Sequence, residues 1–244
     1  MKKVVLILGA ILGLLLIIIL LVGGYFGFVP IISDVFGATT PQDLGISYSE
    51  ADYSSFNEKA GTQIITKQET LAPVDSVAYS GSHAVNLTFS AEEMSARLNY
   101  NEWPYQPVTN IQIKPHDDGT VEISGNINLD QIDEFLQASG YSLSEADIAQ
   151  YTPYIALIKT SPALYIKAKP TVTNNRVQLN FESATVARYT ISANDYNAAA
   201  VLDNWGNSLL SSVTGADIKS VTFDAQGMHV QGKIPDSVTI TTHE

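Results

Sequence analysis

Histidine and carboxylates meet at close quarters in one tetrapeptide, His116-Asp117-Asp118-Gly119. Such a group could ligate a divalent metal or run acid–base chemistry. Either role needs further ligands converging on it, and none stands at ligand spacing. Asp and Gly are turn residues, so the tetrapeptide is predicted to be the tip of a β-hairpin. His83 follows Gly81-Ser82 without the G-x-S-x-G elbow of a serine nucleophile. His229 alternates with Met228 and Val230 on a predicted strand and is expected to face solvent, and His243 sits in the tail. The carboxylate pairs Glu92 and Glu93, Asp52 and Glu58, and Glu145 and Asp147 need no catalytic reading, because acids in a first helical turn answer the helix dipole. Gly119 and Gly125 flank a strand rather than open a helix, so they form no phosphate loop. Asn86-Leu87-Thr88 matches a glycan acceptor pattern. Zero cysteines exclude disulfides, thiolate catalysis and Cys-ligated zinc. The expectation is a non-catalytic protein without metal or cofactor.

The aromatic residues offer more. They stand among Pro104, Pro107, Pro153 and Pro162, and they read either as ordinary core or as the lining of an apolar groove able to take an acyl chain. The groove candidates in the first half of the chain are Leu98, Trp103, Tyr105 and Phe135. Those in the second half are Tyr154, Ile158, Tyr165, Leu202, Trp205 and Leu209.

These side chains must be held by elements legible along the chain. Residues 4–22 are nearly all Val, Ile, Leu, Gly and Ala, a run of roughly 28 Å as helix, long enough for a hydrocarbon core of about 30 Å. Tyr25, Phe26 and Phe28 suit the far interface, and Pro30 ends the run. It is longer than the apolar stretch of a cleaved signal peptide. The prediction is an uncleaved signal-anchor, with residues 1–32 as cytoplasmic stub and transmembrane helix, 33–43 as linker and 44–240 as one extracytoplasmic domain at the cell membrane. Lys2 and Lys3 place the N-terminus in the cytoplasm. The chain carries 13 basic and 25 acidic residues, net −12. That surface repels nucleic acid and gives no basic patch for anionic lipid. At 45% hydrophobic and 16% charged residues, it is too apolar for disorder.

Two distant segments share a pattern. In residues 86–127 a strand leads to Ser90 with Glu93 (a capping box), then a helix, then a hairpin turning at Asp118-Gly119 and ending Gly125-Asn126-Ile127. In residues 188–235 a strand leads to Ser192 with Asp195, then a helix, then a hairpin turning at Gln226-Gly227 and ending Gly232-Lys233-Ile234. Each reads as a β-α-β-β unit. Between them are predicted helices 130–139, capped by Asp130, and 144–158. Three strands follow, 163–168, 176–181 and 185–191, the first two joined by Asn174-Asn175. A helix over 194–212 carries Leu202, Trp205 and Leu209 on one stripe. Near the start, a short helix ending at Gly61 and strands over 62–66 and 74–79 are predicted.

Residues 86–98 and 107–125, with Pro162-Ala163-Leu164-Tyr165-Ile166-Lys167-Ala168-Lys169, 176–181 and 183–188, resemble membrane-anchored extracytoplasmic proteins of the YpmS and LmeA type. The resemblance covers roughly 86–235. It implies a tubular lipid-binding relative, with a curved, twisted antiparallel sheet wrapped against helices around a lipid groove, and it brings no catalytic residues. The fold class expected is therefore α+β: a transmembrane helix, then that sheet with its repeated β-α-β-β unit. The function expected is binding or shuttling of a lipid or other amphiphile. The alternative is an envelope scaffold that binds another protein through its acidic surface.

Overall fold

A computed structural model of the chain describes residues 16–140, 160–195 and 198–242. The predicted helix 144–158, with Tyr154 and Ile158, lies outside them, as do His243 and most of the run 4–22. Residues 16–25 are helical (α1), with Leu16, Ile17 and Ile19 about half exposed. No helix among the described residues is long and apolar enough to cross a membrane. Pro30 opens a second helix, α2 (Pro30–Val35), where its fixed φ and missing N–H suit the first turn. Within the stretch 33–43, expected as a linker, Asp34, Val35, Thr40, Gln42 and Asp43 are exposed, but two residues are anchored. Ser33 and Ala38 are fully buried, and the Ala163 amide donates to the Ala38 carbonyl at 2.8 Å.

The remaining helices are α3 (Glu50–Ala60), α4 (Ala91–Asn99), α5 (Ile132–Ala138) and α6 (Ala198–Ser212). Strands β1 (Gln63–Gln68), β2 (Val77–Ser80), β3 (His83–Phe89), β4 (Val108–Pro115) and β5 (Val121–Ile127) come from the first half. The second half gives β6 (Ala163–Ala168), β7 (Thr171–Thr173), β8 (Arg176–Gln178), β9 (Phe181–Val186) and β10 (Tyr189–Ser192). It ends with β11 (Asp217–Asp224), β12 (Gly227–Ile234) and β13 (Ser237–Thr242).

The fold is α+β, with antiparallel sheets packed on helices. The single sheet expected is three sheets. One runs β3-β12-β11-β7-β8, a second β10-β9-β6-β5-β4, and a small third β1-β13-β2, in which β1 and β13 pair in parallel. The two larger sheets share one core, where Phe89, Ile218 and Val230 of the first meet Ile111, Ile113 and Val121 of the second. Val238 and Ile240 alternate as buried positions on β13, a strand not among those expected. Three local expectations are corrected. Residues 185–191 are two strands, because Ala187 adopts φ 53° in a turn and donates to the Ala163 carbonyl. Asn174 and Asn175, both left-handed, join β7 to β8 rather than 163–168 to 176–181. Asn128, not Asp130, caps the turn before α5, its side chain accepting from the Asp130 amide.

The segment 83–127 runs β3-α4-β4-β5, and 189–234 runs β10-α6-β11-β12. Opening strands are exchanged between them. β3 pairs with β12 of the other segment, and β10 joins the sheet of β4 and β5 across β9 and β6. Each hairpin carries a bulge near the start of its first strand, between Thr109 and Gln112 in one and between Ile218 and Ser220 in the other. Gly125 and Gly232 face those bulges. A Cβ on Gly125 would lie 2.8 Å from the Thr109 carbonyl oxygen, and one on Gly232 would lie 2.4 Å from that of Asp217. The Gly-x-Ile ending of both hairpins is thus a steric requirement of the bulge.

Both helices also cover a sheet edge in the same way. On α4, Asn99 exchanges two hydrogen bonds with the Ile111 backbone (2.7 and 2.9 Å), and Ser95 Oγ accepts from the Ile113 amide at 2.9 Å. On α6, Asn207 exchanges two with the Val177 backbone, and Asp203 accepts from the Leu179 amide at 2.7 Å. Side chains at i and i+4 of a helix therefore pair positions two apart on edge strand β4 and at the edge strand β8.

Candidate functional site

Where β3 and β12 face the small sheet, a cavity of about 480 Å³ remains. Period-2 alternation builds its walls. Val85, Leu87 and Phe89 come from β3 and Met228, Val230 and Ile234 from β12. Ile64, Val77, Val238 and Ile240 come from the small sheet. Phe56 and Ala60 of α3, Phe135 of α5 and Leu209 of α6 complete the lining with Trp103. Phe56 stacks on Phe89 with ring centroids 4.1 Å apart, fixing α3 to the wall. The volume falls within the range of about 300–1,000 Å³ usual for small-molecule sites, and the surface is mainly apolar.

Among the described residues, one charged side chain reaches this lining. Arg97, in the last turn of α4, places its guanidinium 5.9 Å from the Tyr53 ring centroid and 6.0 Å from that of Phe56. Burial pulls its pKa down, opposed by the phenols of Tyr53 and Tyr79. Burial pushes the Tyr79 phenol up, and the charge of Arg97 works against that rise. An arginine stays charged in this setting, and the two rings offset part of its desolvation. Among the described residues no carboxylate pairs with it.

Two polar contacts hold α3 over the cavity. Glu93, 4% exposed, closes the capping box of α4 and receives Lys59 Nζ at 2.7 Å and Ser55 Oγ at 2.6 Å, both from α3. Burial raises the Glu93 pKa, but Lys59, Ser55 and the Ser90 amide outweigh it and hold the carboxyl below its ordinary value. His83 sits between Ala60 and Asp236, with Nε2 2.8 Å from the Ala60 carbonyl oxygen and Nδ1 2.9 Å from the Asp236 carboxylate. Both partners accept, so the geometry fits an imidazolium. Its pKa is raised by the Ala60 carbonyl and then by Asp236.

Of the groove candidates, Trp103, Phe135 and Leu209 line the cavity. Tyr105 and Trp205 stand behind them in an aromatic chain. Successive centroids from Tyr105 through Trp103 and Phe135 to Trp205 are 5.9 Å apart, and Trp205 Nε1 donates to Ser139 Oγ. Leu98 packs on the core, and Leu202 lies half-buried on α6 away from the lining. Tyr165 belongs to the other large sheet, where its hydroxyl donates to Glu122, which also receives His116 Nε2 at 2.7 Å. The Tyr165 pKa is pushed up to about 12 by burial and by Glu122, so it stays a neutral donor. His116 thus braces the hairpin whose turn it opens. His229 on β12 bonds Thr88 and pairs with Asp224 at 2.8 Å. No group of three His, Asp or Glu side chains able to hold a metal occurs among the described residues.

Sequence reading missed Arg97, Phe56 and the small-sheet wall. Arg97 stands three residues after buried Met94 and four after buried Glu93, the spacing of one helix face, and that was the available signal. Val238 and Ile240 carried the period of a strand with one buried face. No family model, curated protein or solved structure matches this chain.

Proposed function

We propose that this protein is a non-catalytic, membrane-tethered extracytoplasmic protein that binds or shuttles a lipid or other amphiphile in the cavity between β3-β12, the small sheet and α3. The observation that carries this reading is the cavity, about 480 Å³ and lined mainly by apolar side chains. An empty apolar space costs dispersion contacts on every wall, and an acyl chain restores them. The uncharged run 4–22, the bare apolar surface of α1 and the resemblance of residues 86–235 to proteins of the YpmS and LmeA type support a tether and a lipid ligand. Lys2 and Lys3 orient the tether with its N-terminus in the cytoplasm. The two like-ordered β-α-β-β segments, each with a bulge and a facing glycine, support an origin by duplication.

The test is mass spectrometry of organic extracts from the full chain, purified gently, beside a Leu87→Trp variant in which an indole fills the cavity. Stoichiometric copurifying amphiphile on the wild type and its loss from the variant, at matched thermal stability, are the expected results. Equal extracts from both, or none from either with no displaceable fluorescent fatty-acid probe, would refute the reading.

A further inference from the structure

The apolar walls explain why a chain would enter the cavity, and they leave unexplained why an arginine reaches the same lining. Arg97 is half-buried, and even partial burial of a guanidinium without an anion is costly; the faces of Tyr53 and Phe56 answer only part of that cost. The stem of Arg97 could have been supplied by Leu or Met at no such penalty. A charge kept at an apolar wall is explained when the occupant brings the opposite charge. Nearby polar groups fit the same purpose. Asn101, on the lining four residues further on, accepts the Trp103 amide through Oδ1 at 3.2 Å, a bond that does not use its NH₂ donors. Tyr79 adds a phenol that burial keeps protonated.

We infer that the cavity takes an anionic single-chain amphiphile, its carboxylate or phosphate head held by the Arg97 guanidinium with Asn101 and its chain lying against Leu87, Val230 and Ile240. The inference rests on the cavity-binding reading above and names the class of its ligand. The planar fork of Arg97 offers paired donors to a carboxylate or a phosphate oxygen pair. The volume lies in the lower half of the usual range for small-molecule sites and suits one acyl chain better than two. The net charge of the chain does not oppose this, because among the described residues no carboxylate lines the cavity and Arg97 acts at contact distance.

The experiment is photolabelling of the full chain in nanodiscs of neutral phosphatidylcholine. Three probes carry a diazirine on one C16 chain: a fatty acid, the matching fatty alcohol and a lysophosphatidate. Peptide mapping reads the label on β3, β12 and β13. The acid or the lysophosphatidate is expected to label these strands about tenfold more than the alcohol, in keeping with a charge-assisted pair in an apolar site. Preference for the acid alone or the phosphate alone identifies the head and upholds the inference. Arg97→Met keeps the stem packed on Tyr53 and Phe56, and it should bring the anionic probes down to the level of the alcohol. Arg97→Lys should retain part of the preference. Equal labelling by all three probes, unchanged in Arg97→Met, overturns the anionic head while leaving cavity binding in place. Absence of label from every probe overturns both.

Discussion

The Asn207 carboxamide accepts from the Val177 amide and donates to the Val177 carbonyl, both at 2.9 Å, so a helix side chain takes the place of a neighbouring strand at the edge. Asn99 does the same for Ile111. An edge strand with bare amides and carbonyls is a template for pairing with another chain, and these two side chains remove that template. Asn207→Leu and Asn99→Leu are each expected to cost about 1–3 kcal/mol, because a buried amide and a carbonyl lose their partners together. Denaturant melts would measure the loss. Light scattering at mid-transition should show faster association of both variants than of the wild type.

The two hairpin glycines give a second expectation. Gly125→Ala sets a Cβ 2.8 Å from the Thr109 oxygen, and Gly232→Ala sets one 2.4 Å from the Asp217 oxygen at a φ of +150°. Backbone cannot yield as a side-chain tip can. Each substitution should destabilise by about 2 kcal/mol or more, with Gly232→Ala the worse. Equal thermal midpoints for wild type and Gly232→Ala would remove the bulge as the reason for this residue.

Glu93 links α4 to α3 through Lys59 and Ser55. Its folded pKa lies below the ordinary 4.5, so its contribution is present above that pH and is lost as pH falls through the folded value. Glu93→Gln should cost about 1–3 kcal/mol near pH 7, and the gap to wild type should narrow on acidification below pH 4.5. Lys59→Met should cost less than about 1 kcal/mol, since the lysine side chain is 44% exposed. A gap that stays constant from pH 7 down to the acid limit would count against the ionised pair.

His83 has the opposite sign. Its folded pKa is raised above 6.5, so its bonds to Ala60 and Asp236 contribute fully below that pH and fade as pH rises through the folded value. The thermal midpoint of wild type should exceed that of His83→Gln by about 2 °C near pH 5.5, and by less at pH 9. Asp236→Asn should weaken the same pH dependence without abolishing it, since the Ala60 carbonyl remains. Because Ala60 and Pro235 line the cavity, binding of a fluorescent fatty-acid probe should loosen over the same interval.

Much of the frame was legible because local chemistry and global packing agree there. Ser90 and Glu93 announced α4, Asp118-Gly119 the first large hairpin, and Gln226-Gly227 the second. Legibility failed where long-range partners decided the outcome. Ala187 turns at φ 53° because its amide meets the Ala163 carbonyl, a contact no local signal encodes. β13 becomes a strand by lying between β1 and β2, far from it in sequence. The site divided in the same way. Trp103, Phe135 and Leu209 stood out as large apolar residues, whereas nothing local marked Arg97, whose place on the lining depends on walls distant in sequence.

The traded opening strands set a condition on how the molecule is made. Thr88 on β3 meets His229 on β12, 141 positions later. A nascent chain leaving the ribosome exposes β3 long before its mate is translated, and loop closure over such a distance is slow. A chain cut between the two halves would leave each with an orphaned ribbon edge. Folding of β3 therefore waits on synthesis of β12, and until then its edge stays open to other chains.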